Sequence, residues 1–277
     1  MNKKLLALNG LKFNPFSPEL PVEALYVANA VEAFAWRLEN GLVREGGFAL
    51  ISGEPGTGKS GVLRLLAERL GQQRELTVGA ITHPSGNLAD FYREMGDVFG
   101  VELRPHNRWG GFKALRERWL AHLDSTLLRP VLLIDEAQEM PPQVLNELRL
   151  LASTQFDSRH LLSVVLAGDR RLNHKLRRDD LLPLGSRIRT RLNLEYANRD
   201  ELRACLDHLL ERAGNARLMS PKLVETLCEH ALGNYRVLTT LAGELLATAA
   251  QRELTQLDEA LFLELYANPN TQAKQTA

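Results

Sequence analysis

Apolar positions follow two periodicities through roughly the first 195 residues of the chain. Short apolar runs typical of buried strands occur at 48–52, 76–81, 131–134, 161–167 and 190–194. Between the runs, apolar residues recur at spacings of three and four, which predicts helices. These helices are expected over 22–40, 62–70, 87–99, 111–127 and 141–151. Strands that alternate with helices predict an α/β fold in which a parallel sheet has helices on both faces.

The strand pattern ends near residue 197, and only helix signals follow. Asn198 and Ser220 can each cap a helix, and the spacing of Thr255 and Asp258 resembles a capping box. Helices are therefore predicted over 198–213, 220–232, 235–252 and 255–266. The resulting segments are an N-terminal lead-in and helix over 1–45, an α/β core over 46–196, a small all-helical domain over 197–267 and a disordered tail over 268–277.

Composition adds limits on the class of protein. The 277 residues are 44% hydrophobic and 25% charged, which excludes a disordered chain or a disulfide scaffold. The two cysteines form no CxxC pair, so a reducing compartment is expected. The N-terminal apolar run is too short for a signal peptide, and no segment reaches the roughly 20 apolar residues of a membrane helix. These features predict a cytoplasmic protein with no membrane partner.

The net charge is zero, with 34 basic and 34 acidic residues, but the charge is unevenly distributed. The stretch 159–191 carries nine basic and three acidic residues, and the stretch 102–129 carries six basic and three acidic residues. A polyanion is therefore expected to meet the middle of the chain.

A glycine-rich turn after the first strand fits the pattern G-x-x-x-x-G-K-[ST] of a phosphate-binding loop, or P-loop (Walker A). Its glycines let backbone N–H groups surround phosphate oxygens at a helix N-terminus. Lys59 is expected to reach the β- and γ-phosphates of ATP, and the Ser60 hydroxyl to ligate Mg²⁺. The predicted nucleotide contacts are Gly53, Glu54, Pro55, Gly56, Thr57, Gly58, Lys59, Ser60 and Gly61.

Two carboxylates complete the predicted site. Asp135 and Glu136 directly follow the apolar run 131–134, which places them at the carboxyl edge of the sheet, where such folds bind ligands. Asp135 suits the Mg²⁺ shell, and Glu136 suits activation of a water molecule as a general base. The pair predicts hydrolysis of ATP as well as binding.

With these motifs, the sequence resembles an AAA+ ATPase of the ExeA-like branch. The sequence Asp135-Glu136-Ala137-Gln138 and the lead-in over 11–16 are similar to the corresponding parts of that branch. The branch is in turn similar to the transposition ATPases TnsC, TniB and MuB. The resemblance implies an AAA+ P-loop NTPase core, a helical lid formed by 197–267, and a lead-in that lines the adenine pocket.

The resemblance also implies three further functional residues. Arg187 would be an arginine finger that reaches the γ-phosphate in a neighbouring subunit, with Arg189 and Arg191 as nearby alternatives. Arg236 would be the sensor 2 arginine of the lid, and Asp169 occupies the sensor 1 position. An ionised aspartate can accept hydrogen bonds but cannot donate one to a phosphate, so Asp169 departs from the Gln, Asn or Thr of relatives.

No motif identifies a DNA-binding surface, so the candidates come from the two basic stretches alone. Each stretch can equally be a solvated helix face, and the second can line a subunit interface. Arg108-Trp109-Gly110 is expected in a loop, where its tryptophan could stack on a base. The candidate DNA contacts are Arg104, Arg108, Lys113, Arg116, Arg171 and Lys175.

The resemblance implies a regulator of DNA transposition that uses ATP and Mg²⁺. Such a protein assembles as a ring or filament on duplex DNA without sequence preference, recruits or activates a DDE transposase, and disassembles on hydrolysis. One alternative is an ExeA-type secretion-associated ATPase that acts on a protein partner. Another is a relative of replication initiators and helicase loaders, which would be expected to carry an additional DNA-binding domain.

Overall fold

A computed structural model describes residues 3–84, 86–103 and 107–266. Its strands are β1 (Gly47–Gly53), β2 (Val78–Ile81), β3 (Val131–Ile134), β4 (Ser153–Thr154), β5 (Arg159–His160), β6 (Ser163–Gly168) and β7 (Ile188–Leu194). Its helices are α1 (Lys3–Leu8), α2 (Asn29–Arg37), α3 (Val43–Glu45), α4 (Lys59–Gly71), α5 (Leu88–Phe99), α6 (Arg108–Thr126), α7 (Pro142–Leu151), α8 (Arg170–Leu176), α9 (Leu182–Gly185), α10 (Arg199–Ala213), α11 (Pro221–Ala231), α12 (Tyr235–Gln251) and α13 (Glu259–Tyr266).

Five of the strands form one parallel sheet in the order β2-β3-β6-β1-β7. The five strands predicted from apolar runs are all present, and β3 has the predicted bounds. All residues of β1, β3 and β6 are buried, because helices cover both faces of the sheet. The parallel arrangement brings the carboxyl ends of β1, β3 and β6 to one edge.

The chain divides into two compact units, residues 27–195 and residues 1–26 with 196–277. The lead-in is therefore shared between the units, with Tyr26 the last residue of its first part. In the first unit the core lies between the sheet and its helices and includes Phe48, Leu50, Phe91 and the fully buried Trp119.

The second unit is helical, and its core is formed by α10–α13 with residues of the lead-in. Leu11 and Phe16 pack in this core against residues such as Leu206 and Leu245. Asn198 and Glu201 form the capping box of α10, in which each side chain accepts a backbone N–H. The tail predicted over 268–277 lies outside the described residues.

Three local predictions differ from the structure. The helix predicted over 22–40 is interrupted after a single turn at Val22–Ala24, where Tyr26 packs edge-on to His208 in the helical unit. The residues 108–110 form the first turn of α6 and not a loop, because the Asn107 side chain accepts the Gly110 N–H and caps the helix. The last helix, predicted over 255–266 with a capping box at Thr255, begins instead at Glu259. Its cap is Asp258, whose carboxylate accepts the Leu261 N–H.

Candidate nucleotide site

The P-loop connects β1 to α4 at the carboxyl edge of the sheet. Gly56 and Gly58 have φ angles of 83° and 101°, in the left-handed region that glycine adopts without strain. A Cβ atom at Gly53 would lie 2.5 Å from the Thr57 hydroxyl and 2.6 Å from the Leu194 carbonyl oxygen. The loop is therefore tight enough to require glycine and curved enough to point N–H groups at a bound anion.

Lys59 is buried at the start of α4. Its Nζ donates hydrogen bonds to the carbonyl oxygens of Gly53 (2.8 Å) and Glu54 (3.1 Å). The ammonium group is thus held by the loop that would surround the phosphates. Phosphate oxygens, which carry full charge, would be stronger acceptors than these carbonyls.

Ser60 and Asp135 meet although 75 positions separate them in the sequence. The Ser60 hydroxyl donates to Asp135 Oδ2 at 2.9 Å, and the other oxygen, Oδ1, accepts the Glu136 N–H at 2.9 Å. A hydroxyl and a carboxylate side by side are oxygen donors that suit Mg²⁺, which usually takes few protein ligands beside phosphate and water. The side chains present therefore fit the ion that the family implies.

Glu136 begins a short turn after β3 and has a left-handed backbone, with φ 48°. Its Oε2 accepts a hydrogen bond from the side-chain amide of Gln138, which is itself buried. The carbonyl oxygen of the same amide accepts the Asp169 N–H at 3.2 Å. Gln138 therefore connects the predicted general base to the end of β6, a role that the sequence analysis did not assign to it.

Asp169 caps α8 and is paired with Arg171. Its Oδ1 accepts the Arg171 N–H at 2.8 Å, and its Oδ2 lies 2.8 Å from the guanidinium. Burial would raise the pKa of Asp169, but the hydrogen bonds and charge of Arg171 outweigh it and lower the pKa below its usual value. The carboxylate of Asp169, the predicted sensor 1 residue, is consequently ionised and acts as an acceptor.

Helix α8 contacts both the P-loop and the segment that follows β3. Arg170 contacts the Glu54 carboxylate of the P-loop, and Arg171 pairs with Glu139 at 2.8 Å. Lys175 donates to the carbonyl oxygens of Gln138 (2.5 Å) and Met140 (2.8 Å). Two of the predicted DNA contacts, Arg171 and Lys175, are therefore engaged in supporting this site.

Arg187 lies at the opposite edge of the sheet. It immediately precedes β7, whose first residue, Ile188, is paired with Phe48 near the start of β1. The P-loop follows the end of β1, about 20 Å away at 3.3 Å per residue. The guanidinium contacts the Asp157 carboxylate and the Pro183 carbonyl oxygen and is only 26% exposed. Arg187 is thus remote from the P-loop of its own chain.

The two alternatives to Arg187 have other contacts. Arg189 pairs with Glu45 at 3.0 Å, and Arg191 donates to the Gly185 carbonyl oxygen at 3.1 Å.

Asp157, the partner of Arg187, belongs to the β4–β5 hairpin, which the sequence analysis did not predict. Gln155, Phe156 and Asp157 all have positive φ angles, of 53°, 55° and 66°. Hydrogen bonds from Ser153 and then from Arg187 lower the pKa of Asp157, so its carboxylate stays charged.

Arg236 belongs to the helical unit. Its N–H bonds to the Asn234 side chain, which caps α12, and its guanidinium is exposed without an ion pair to any residue described in the structure. Gly233, with φ 82°, precedes the cap, and a Cβ there would lie 2.7 Å from the Ala197 carbonyl oxygen. The glycine of the predicted lid signature is therefore required by the backbone.

The remaining predicted DNA contacts lie on α6. Arg108 donates from Nε to Glu147, a carboxylate that is 2% exposed, at 2.8 Å. Lys113 lies 3.7 Å from Glu117 on the solvent face, and Arg116 donates to backbone carbonyl oxygens. Arg104 lies outside the described residues. Arg108 and Arg116 thus contribute to the packing of their own unit.

The chain is similar to known proteins over the residues that carry the two motifs. Residues 43–176, which include both motifs, match the AAA domain family. The chain is 33% identical over 247 residues to general secretion pathway protein A of Aeromonas hydrophila, covering 88% of this chain and 44% of that protein. The chain thus spans less than half the length of that relative.

Solved structures with low identity share the fold. The Aeropyrum pernix ORC2 protein matches with a TM-score of 0.71 and 17% identity, over 95% of this chain and 74% of that one. The ORC1 protein of the same organism, solved in complex with DNA, matches with a TM-score of 0.64 and 20% identity, over 91% of this chain and 68% of that one.

No helix within residues 3–84, 86–103 and 107–266 has the length and apolar character to cross a membrane. The family match over residues 43–176, the P-loop and the parallel sheet identify an AAA P-loop domain in this chain, which is followed by a helical C-terminal part.

Proposed function

We propose that this ATPase assembles on duplex DNA in its ATP-bound form, presents that DNA to a DDE transposase, and disassembles when ATP is hydrolysed. The observation that carries the ATP-dependent part is the meeting of Ser60 and Asp135 beside Lys59 and Glu136 at one edge of the sheet. These four side chains supply the cation, the metal ligands and the base that phosphoryl transfer to water needs.

The side chains divide the chemistry as follows. Lys59 and the N–H groups of the P-loop bind the phosphates and neutralise their charge. Ser60 and Asp135 would hold Mg²⁺, which supplies additional positive charge at the phosphate oxygens. Glu136 accepts a proton from the attacking water, and Gln138 holds the Glu136 carboxylate in place through its side-chain amide.

Arg187 completes the site of a neighbouring subunit. Its separation of about 20 Å from its own P-loop, estimated from strand rise, supports action in trans. A guanidinium supplied by a neighbour stabilises the charge of the transition state and makes catalysis depend on assembly. The contact with Asp157 must open before Arg187 can reach another subunit.

Two lines of support favour duplex DNA. The sequence over 135–138 and the lead-in over 11–16 resemble the ExeA-like branch, which is in turn similar to the transposition ATPases. A protein of the same fold, Aeropyrum pernix ORC1, has been solved in complex with DNA. Lys113 is exposed and lies near only the exposed Glu117, whereas Arg108 pairs with the buried Glu147, and Arg171 and Lys175 support the ATP site. Contacts of this kind act on the phosphate backbone, so binding would be independent of sequence.

The second candidate is a secretion-associated ATPase that acts on a protein partner. It is favoured by the 33% identity to general secretion pathway protein A. In that case ATP would still be bound and hydrolysed at the same edge, but duplex DNA would have no effect on assembly.

The test is fluorescence anisotropy of two labelled duplexes of unrelated sequence, with ATP, ADP or no nucleotide. With ATP, wild type and the Glu136→Gln variant are each expected to bind the two duplexes with the same affinity. Lys59→Ala is expected to bind neither duplex. Affinity should fall steeply as salt rises, because phosphate contacts release counterions. Absence of ATP-dependent binding to both duplexes, while ATP turnover is intact, would contradict the DNA proposal and favour the secretion candidate.

A further inference from the structure

A cleft of about 620 Å³ lies on the α/β unit away from the P-loop, between the start of α6, the end of α7 and the β4–β5 hairpin. It is lined by apolar side chains and by three arginines. A cleft of this size accommodates a few side chains and not a flat protein face. No residue of the ATP site lines it, and Asp157 is the lining residue that it shares with the contact of Arg187.

The aromatic residues of the cleft are unusually exposed. Trp109 is 74% exposed, and its ring stacks on that of Phe112 at 5.9 Å with an angle of 6° between the planes. Phe156, at the hairpin tip, is fully exposed. Its backbone and those of both neighbours are left-handed, a conformation that is strained for residues other than glycine. A strained loop that presents a phenylalanine to solvent indicates a contact surface.

The charges of the cleft are not balanced. Glu147 is paired with Arg108, and Asp157 is paired with Arg187. Within the described part of the chain, Arg116 and Arg149 have no carboxylate at ion-pair distance. The cleft therefore carries an excess of positive charge.

Both unpaired arginines keep donors for a ligand. Arg116 uses Nη1 for the Leu150 and Ser153 carbonyl oxygens, and its guanidinium carbon lies 5.0 Å from the centre of the Phe112 ring. The Nε of Arg149 is buried without an acceptor in the described residues, so the donors that this half-buried side chain can offer to a ligand are its terminal nitrogens. Carboxylate groups form strong, often bidentate, charge-assisted hydrogen bonds with guanidinium donors.

We infer that this cleft binds a short acidic segment of a partner protein, with an aromatic or leucine side chain held between Trp109 and Phe156 and carboxylates beside Arg116 and Arg149. The stacked rings supply the apolar anchor site, and the unpaired guanidinium groups select carboxylates over basic groups. This interaction goes beyond the proposed function, because it requires neither ATP nor DNA.

The test is selection of a random linear-peptide library displayed on phage against the full chain, followed by anisotropy of the enriched peptides. The enriched peptides are expected to combine two or more carboxylates with a tryptophan, phenylalanine or leucine. Their affinity should fall at least about tenfold in Trp109→Ser and in Arg149→Glu, since each variant removes one part of the binding site. ATP turnover without DNA should remain at the wild-type rate in both variants.

The matched controls are Trp36→Ser and Arg74→Glu, which make the same changes at exposed positions outside the cleft. These controls are expected to bind the peptides like wild type. Enriched peptides without carboxylates, or equal binding by the cleft variants and the controls, would overturn the inference. The inference would also be overturned if no peptide were enriched, or if the cleft variants lost duplex DNA binding and no peptide bound to the chain. Because ATP turnover and DNA binding are measured separately, failure of this inference leaves the proposed function testable.

Discussion

The two edges of the central sheet differ in how complete they are. At the carboxyl edge, Lys59, Ser60, Asp135 and Glu136 lie within one chain. Lys59 donates to a P-loop carbonyl oxygen, Ser60 donates to Asp135, and the buried Gln138 amide donates to Glu136. At the amino edge, Arg187 lies about 20 Å from the P-loop of its own chain and contacts Asp157 on a strained hairpin. Under the proposed function, the carboxyl edge binds ATP within one chain, whereas the amino edge contributes Arg187 to the site of a second subunit.

The largest expected effect is at the complete edge. Lys59→Ala should abolish ATP turnover and weaken ATP binding by roughly a hundredfold, the equivalent of losing about 3 kcal/mol of charge-assisted hydrogen bonding. Titration calorimetry with ATP measures the affinity. Arg64→Ala, in the same helix but outside the motif, is the control. An unchanged affinity in Lys59→Ala would mean that the P-loop does not bind the phosphates.

Glu136→Gln separates binding from hydrolysis. The amide keeps the shape of the side chain but cannot accept the proton of water, so turnover should fall about 10²- to 10⁴-fold while ATP affinity is retained. Phosphate release measures turnover, and Glu75→Gln, at an exposed position outside the site, is the control. Wild-type turnover in Glu136→Gln would contradict its assignment as the general base.

A variant of Gln138 tests whether its hydrogen bonds to Glu136 and Asp169 position the general base. Gln138→Ala removes the amide that contacts Glu136 and the oxygen that accepts the Asp169 N–H. We expect kcat to fall about tenfold with little change in ATP affinity, because a misplaced base weakens proton transfer more than binding. Gln143→Ala, at an exposed position in α7, is the control. Equal kcat values for both variants would mean that Gln138 has no positioning role.

The smallest effect is expected at the incomplete edge. Asp157→Asn weakens the contact that holds Arg187 in its own chain, so assembly should need up to about fivefold less ATP, given that exposed ion pairs contribute about 0.2–1 kcal/mol. Light scattering measures assembly, and Asp124→Asn, which removes another ion pair, is the control. A higher ATP requirement in Asp157→Asn would mean that Asp157 positions Arg187 for the neighbour.

The same variant has a defined pH dependence. The pKa of Asp157 is lowered in the folded protein, so the carboxylate stabilises the fold above its unfolded pKa. This contribution is lost as the pH falls through the lowered pKa. The difference in Tm between wild type and Asp157→Asn should therefore be constant near neutral pH and disappear in acid.

The complete edge was predictable because its chemistry lies in contiguous motifs. The run Val131–Ile134 and the residues that follow it have only one plausible position in a parallel sheet. The sequence therefore predicted the strands, the P-loop and the adjacent carboxylates.

The other features depend on contacts between distant residues. Asp157 and Arg187 are 30 positions apart, and neither residue type signals the pair. The β4–β5 hairpin has strands of only two residues and a turn without glycine, so it lacks the usual hairpin signal. The basic residues of α6 and α8 were predicted as DNA contacts from local charge alone. Local charge does not reveal that Arg108 pairs with the buried Glu147 or that Lys175 donates to backbone carbonyl oxygens.

The central claim, that two chains share each catalytic site, is tested most directly by mixing two inactive variants. Glu136→Gln retains Arg187, and Arg187→Ala retains an intact ATP edge. Each alone should show little turnover, since loss of an arginine finger lowers kcat by about 10³-fold or more. In an equal mixture, about a quarter of the interfaces should combine the intact edge of one chain with the Arg187 of the other, and turnover should recover to that level. A mixture no more active than the two variants measured separately would contradict the claim.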